Sequence, residues 1–255
     1  MVLLSSIAAQ LYTVHDFMQT PADIAKSLKK VSKIGYKAVQ VSGLGPIDTK
    51  ELKNILDGEG LKVCATHVKF DKLKENIDEV IEYQRILDCD FVAIGSMPEE
   101  YRNLEGFTRF AKAINPIAKH LSEVGLVFGY HNHSFELQRY GNKTGLEIFF
   151  EACDPEYVTA EFDTHWLQNA GADPIAWIRE FRGRVPVIHL KDMTIVDNVP
   201  IMTEVGEGNM NWQGILDECR KSGTKWYAVE QDICQRDPFE SLAISLRNLR
   251  GMGLE

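Results

Sequence analysis

Eight short apolar runs, each followed by a longer segment of helical period, divide this chain from end to end. The runs are LLSSIAA from Leu3, AVQVS from Ala38, KVCATHV from Lys62 and FVAIGS from Phe91. LVFGYHNH from Leu126, YVTAEFD from Tyr157, VPVIHLKD from Val185 and YAVEQD from Tyr227 complete the set. Runs this short and this apolar read as strands buried on both faces, as strands of parallel sheets are. Between them the apolar residues recur at helical spacing. Ile24, Leu28, Val31 and Ile34 share one face of a helix starting at Pro21. Ile77, Val80 and Ile81 form another stripe, and Phe107, Phe110, Ala111, Ile114, Ile117 and Leu121 a third. Pro21, Pro174 and Pro238 fall where helices begin, and Gly35, Gly60 and Gly125 where they end.

Strict strand–helix alternation predicts an α/β fold with a parallel sheet and crossover helices. Eight units in 255 residues are the size of a closed (β/α)8 TIM barrel, one domain covering residues 1–255. The competing fold is an open doubly wound sheet, which would carry a glycine-rich phosphate loop after an early strand. Neither that loop nor a Gly-Lys-Ser/Thr motif occurs, and no linker interrupts the chain. A net charge of -9 argues against a nucleic-acid surface. No apolar stretch reaches the ~20 residues of a membrane span. The apolar start VLLSSIAAQL lacks a basic flank, the first lysine being Lys26, so it reads as a buried strand rather than a signal peptide. Cys64, Cys89, Cys153, Cys219 and Cys234 are scattered and form no Cys-x-x-Cys pair, which predicts a reduced, cytoplasmic protein.

In barrels, chemistry gathers at the carboxyl ends of the strands. Here those ends carry Gln10, Gln40, His67, then His131 and His133, Glu161 and Asp163, His189 and Lys191, Glu230 and Asp232. Residues two apart on a strand face the same way. Four consecutive strands therefore each aim two ionisable groups at one place, which must be a solvated cleft or a set of partners, because an unpaired buried charge is too costly. A single strand-end histidine or aspartate is more often a satisfied polar residue than a ligand; four strands together point to a shared site. Imidazoles and carboxylates without thiolate suit a divalent ion such as Mn, Mg, Co or Zn. Trp166 and Trp212 follow strands 6 and 7, where an aromatic ring can stack on a sugar face or pack a loop. The run Glu204–Gly208 (EVGEG) looks like a phosphate loop, but its glutamates would repel phosphate, so a turn is expected. No Arg/Lys cluster marks a phosphate site, which favours an unphosphorylated substrate.

The chain resembles the xylose isomerase-like barrel superfamily of sugar isomerases, epimerases and inosose dehydratases. The likeness rests on AAQLYTVHD, GYHNHSFEL, EFDTHWLQNAGADP, VIHLKD, GEGNMNWQGIL and VEQD, in that order. It implies one divalent ion held by residues from strands 5 to 8, with ligand roles on Asp163, His189 and Glu230. The family's Glu-x-His at strand 5 reads His131-Asn132-His133 here, so His131 stands where a glutamate is expected. That departure weakens a two-glutamate epimerase mechanism and looks like the inosose dehydratase branch. Glu161 is an alternative carboxylate for the ion or the base. Glu136, in a loop where the family places a glutamate, is expected to hold a substrate hydroxyl, alongside Gln10, His67, Trp166 and Trp212.

The implied activity is a metal-dependent sugar isomerase or epimerase. It would act on a keto-sugar or related polyol ketone by proton removal next to the carbonyl, through an enediolate. The alternative is an inosose dehydratase-like lyase expelling water from the same intermediate. His133, Glu161, Lys191 and Glu230 are the candidates for proton transfer. The implied partner is a small sugar or inositol-derived substrate, with no nucleic acid and no membrane; a homo-oligomer stays open. A DNA-repair endonuclease of the same superfamily would need a larger ligand set and a basic groove. A non-enzymatic sugar-binding barrel would not need Asp163, His189 and Glu230 together.

Overall fold

The computed structural model describes residues 7–254. Its barrel strands are β1 (Ile7–Gln10), β2 (Ala38–Val41), β3 (Lys62–His67) and β4 (Phe91–Ile94). They continue with β5 (Val127–His131), β6 (Val158–Asp163), β7 (Val187–Leu190) and β8 (Trp226–Val229). Each pairs in parallel with its sequence neighbour, and β8 pairs with β1, so the sheet closes on itself. The expected TIM barrel is the observed fold. Residues 3–6 of the first expected strand lie outside the described residues.

The helices are α1 (Pro21–Ile34), α2 (Thr49–Gly58), α3 (Phe70–Glu75), α4 (Ile77–Ile86) and α5 (Leu104–Glu123). After them come α6 (Gly145–Ala152), α7 (Thr164–Asn169), α8 (Pro174–Glu180), α9 (Trp212–Ser222) and α10 (Pro238–Gly251). Helix α1 illustrates the local logic. The Thr20 side chain caps its N-terminus, Pro21 opens it, and Gly35 ends it with φ of 117°. Ile24, Leu28 and Val31 are buried beneath it.

Two layers of core hold the barrel. Outside the sheet, large side chains of strands and helices interlock. Inside, small residues leave room: Ala8, Ala38, Cys64, Ala65, Ala93, Val187 and Ala228 pack around Phe91. The Phe91 ring lies against Gly129, where any Cβ would meet it at 2.3 Å. The space above this plug is filled by polar side chains.

Alternation of strand and helix did not predict two hairpins. One joins Arg139–Tyr140 to Lys143–Thr144. The larger pairs Asp192–Val196 with Val199–Thr203 directly after β7. Its tip, Asp197-Asn198, takes positive φ at both residues, the conformation that two-residue hairpin turns require and that Asp and Asn tolerate. Among the described residues no helix is long and apolar enough to cross a membrane. All five cysteines are unpaired, and Cys64 is core.

Candidate metal centre

Strands β5 to β8 bring His131, Asp163, His189 and Glu230 together, all buried, with one donor atom from each lying within 4.8 Å of the others. Register explains part of this, since Asp163 sits directly beside His189 across the β6–β7 pair. Loop contacts fix the rest. The Asp163 amide donates to Asn132 Oδ1 at 3.0 Å, tying the ends of β5 and β6. Thr164 Oγ1 bonds the His189 and Lys191 carbonyls at 3.1 and 3.0 Å, tying α7 to the end of β7.

Each donor is aimed by a partner. His131 Nδ1 lies 3.0 Å from the Gly95 carbonyl, which can only accept, so that nitrogen carries the hydrogen. Nε2 then faces Asp163 Oδ2 at 3.4 Å and Glu230 Oε2 at 4.0 Å. It is buried without a hydrogen-bond partner. His189 places Nδ1 2.8 Å from Glu230 Oε2 and Nε2 2.7 Å from Gln40 Oε1. Gln40 passes the contact on, its amide donating to Glu161 Oε1 at 2.8 Å. Gln10 donates to Glu230 Oε1 at 2.9 Å, and the Tyr12 amide holds the Gln10 oxygen at 2.6 Å.

Lys191 is fully buried among carboxylates. Its Nζ is 2.8 Å from both Asp163 Oδ2 and Glu230 Oε2, and 2.5 Å from Asp232 Oδ2. Burial opposes its charge, but Asp163, Glu230 and Asp232 outweigh it and raise the ammonium above its ordinary range. Burial likewise pushes the Glu230 carboxyl up, while Lys191 and His189 hold it well below the usual carboxylate range. Burial lowers His189, but Glu230 and Glu161 raise it to about 10.

This donor set fits a divalent cation. His131 Nε2, buried without a hydrogen-bond partner, faces one oxygen each of Asp163 and Glu230, so a divalent ion among them would take one nitrogen and two carboxylate donors. Both nitrogens of His189 face acceptors: one hydrogen satisfies Gln40, and the other position suits a proton or an ion. Oxygen and nitrogen ligands with carboxylate charge suit Mn, Mg, Co or Zn. The partners behind the imidazoles, Gly95 and Gln40, are of the kind that orient metal-bound histidine.

The other expected site residues divide into three groups. Gln10, His67, His131, His133 and Glu230 line one cavity of about 590 Å3 at the carboxyl end of the barrel, within the range of small-ligand sites. His133 lies beyond the end of β5, its ring centroid 5.4 Å from that of Trp166, and its Nδ1 is buried without a partner. Burial, reinforced by His131, pulls it down to about 3. Trp166 packs beside the centre, 5.3 Å from Lys191 Nζ.

Glu161 sits one pleat deeper than Asp163. Both its oxygens are taken, by Gln40 and by His67 Nε2 at 2.6 Å. It belongs to a second grouping with His67 and His189 rather than to the four donors above. Burial raises its carboxyl, but His67 and His189 hold it below the usual range.

Glu136 and Trp212 are corrections to the expectation of substrate contact. Glu136 is fully buried, taking the Tyr130 hydroxyl at 2.6 Å and the His133 amide at 2.9 Å. It braces the His133 loop from behind and is not among the residues that line the cavity. Trp212 is buried at the start of α9, with its indole N–H on Asp192 Oδ2 at 2.5 Å. The chain turns away from the cavity before reaching it.

Burial pushes the Glu136 carboxyl up to about 8. A raised carboxyl contributes stability at low pH that is lost as pH rises through its folded value. Glu136→Gln keeps the shape of the protonated form. Its Tm should match the wild type near pH 5, exceed it increasingly as pH rises towards ~8, and hold a constant margin above that. A thermal-melt series checks this, and a Tm difference that does not change with pH would contradict it.

Several residues that matter here were not singled out from sequence. Asp192 accepts backbone N–H groups from Gly206, Gly208 and Met210 besides Trp212. The EVGEG segment is thus a turn around an internal carboxylate, and a Cβ on Gly208 would meet Asp192 Oδ1 at 2.3 Å. Gly95 is equally constrained: a Cβ there would stand 2.7 Å from His67 Nδ1. Lys69 and Arg102, distant in sequence, line the same cavity.

Comparison with known proteins adds a family and a set of relatives. A family model for the xylose isomerase-like TIM barrel matches residues 28–250. An inosose dehydratase of Lacticaseibacillus casei is 24% identical over 84% of this chain and 85% of its own. That of Bacillus cereus (strain AH820) is 24% identical over 92% of each. Among solved structures, a sugar phosphate isomerase/epimerase from Parabacteroides distasonis ATCC 8503 superposes with a TM-score of 0.81 at 20% identity. That superposition covers 98% of this chain and 95% of the other.

Proposed function

The chain belongs to the xylose isomerase-like TIM barrel family, and on that premise we propose that it is a divalent-metal-dependent enzyme acting on a small polyhydroxy ketone. The reaction begins with proton removal from the carbon next to the carbonyl and ends with loss of the neighbouring hydroxyl as water. The observation that carries this reading is the convergence of His131, Asp163, His189 and Glu230 within 4.8 Å. These four would hold the ion. When bound, it would polarise the substrate carbonyl and stabilise the negative charge that develops as the proton leaves.

The remaining residues bind, orient and move protons. Gln10 fixes Glu230 at the cavity wall. Glu161 acts from beneath, holding His67 and Gln40, so its role is positioning. His133 is the proton carrier. Its ring lines the cavity with Nδ1 buried and unpartnered, free to take up a proton and return it. That suits passing the proton on to the departing hydroxyl: the C–H and C–O bonds break, a C=C bond forms, and water leaves. The relatives named inosose dehydratase, and the histidine at position 131, support the same outcome.

A second reading is epimerisation or isomerisation without loss of water. It is favoured by Glu230 lining the cavity together with His133, so that a second group could return the proton. Incubation with inososes and keto-sugars in D2O with Mn2+ separates the two. Dehydration predicts new enone absorbance in the ultraviolet. Deuterium entry without absorbance would establish the second reading instead, and neither signal with any substrate of this class would overturn both.

A further inference from the structure

Lys191 stands on the oxygens that the donor set would offer to a divalent ion. Its ammonium contacts Asp163 Oδ2 and Glu230 Oε2, each at 2.8 Å. These oxygens also face the unpartnered His131 Nε2. The third contact, Asp232, differs from the first two. Asp232 does not belong to the four-donor cluster, its side chain is 24% exposed, and it lines the substrate cavity.

Charge balance gives the arrangement a direction. Three carboxylates, Asp163, Glu230 and Asp232, share the one ammonium of Lys191, which cannot neutralise all of them at once. If the ammonium pairs with Asp232 alone, Asp163 and Glu230 are left to match the two charges of a divalent ion. If it stays across Asp163 and Glu230, it repels an ion at short range, where charges interact strongly.

We infer that Lys191 is a displaceable internal cation, competing with the divalent ion for Asp163 and Glu230, with Asp232 as the carboxylate that retains its ammonium when the ion enters. This rests on the metal-centre reading above and adds an exchange to it. The lysine would hold the apo centre together and then stand at the cavity wall, where a cation faces the substrate.

The test uses the full chain stripped by a chelator and titrated calorimetrically with Mn2+ alone. Lys191→Met should bind Mn2+ more tightly than wild type by roughly ten-fold or more. Asp232→Asn should bind more weakly in the presence of Lys191, and this loss should largely vanish in the Lys191→Met background, because Asp232 acts through the lysine. The double variant removes one charge of each sign, so it reports even if Lys191→Met alone fails to fold without metal. Equal or weaker binding by Lys191→Met, or by the double variant if only that folds, would overturn the inference. So would an Asp232→Asn loss that is the same with and without the lysine. If neither wild type nor any variant binds Mn2+, the metal-centre reading itself fails. If wild type binds and removal of the lysine gives no gain, only the exchange fails.

Discussion

Asp163→Asn is expected to leave the barrel folded and to stop turnover. Asp163 has two roles on two oxygens. Oδ1 caps α7 by accepting the Trp166 amide at 2.9 Å, while Oδ2 faces Lys191 and His131. Asparagine is as good a helix cap as aspartate, so the cap, worth about 1 kcal/mol, survives. What disappears is one of the two carboxylate charges in the four-donor cluster. Turnover should fall on the order of 10^3-fold, the scale on which electrostatic stabilisation of a developing charge operates. Mn2+ affinity should fall with it. Circular dichroism and calorimetry beside kinetics distinguish this from unfolding. Full activity in a folded Asp163→Asn protein would remove Asp163 from the chemistry.

His133→Gln is expected to do the converse, keeping the ion and losing the proton transfer. His133 makes no contact with the four donors through its nitrogens, and its main-chain amide, held by Glu136, remains in any variant. Glutamine keeps a polar side chain in the same cavity but cannot carry a proton. Turnover should drop roughly 10^2- to 10^4-fold, the usual contribution of a positioned acid or base. Mn2+ affinity should change little. Because burial holds His133 down at about 3, the wild-type pH profile should show no limb near the ordinary histidine value on its account. A His133→Gln protein that loses metal and activity together would reassign His133 to holding the centre.

The barrel was legible because each strand is a short, mostly apolar run, and helices such as α1 carry a capping residue at the start and a glycine at the end. The four donors were legible for a related reason. An apolar strand that ends in an ionisable group has to send it somewhere, and a closed barrel leaves only one common place. Depth was not legible. Glu161 and Asp163 alternate correctly and face the same interior, yet one pleat puts Glu161 under the donors with both oxygens used. Glu136 was expected at the substrate because related proteins place a glutamate in that loop, whereas here it is buried against the Tyr130 hydroxyl and the His133 amide. Trp212 was misread because adjacency to a strand end in sequence says nothing about where the following turn goes. The hairpin at Asp197-Asn198 was not singled out, since this pair lacks the glycine of the strongest two-residue turn signals.

Metal stoichiometry tests the account at its centre. The full chain, loaded with Mn2+, freed of excess ion and analysed for metal and protein, should carry one ion per chain, reduced to a trace in His189→Ala. Protein that retains no ion after loading, or that retains it undiminished in His189→Ala, would contradict a metal centre built from His131, Asp163, His189 and Glu230.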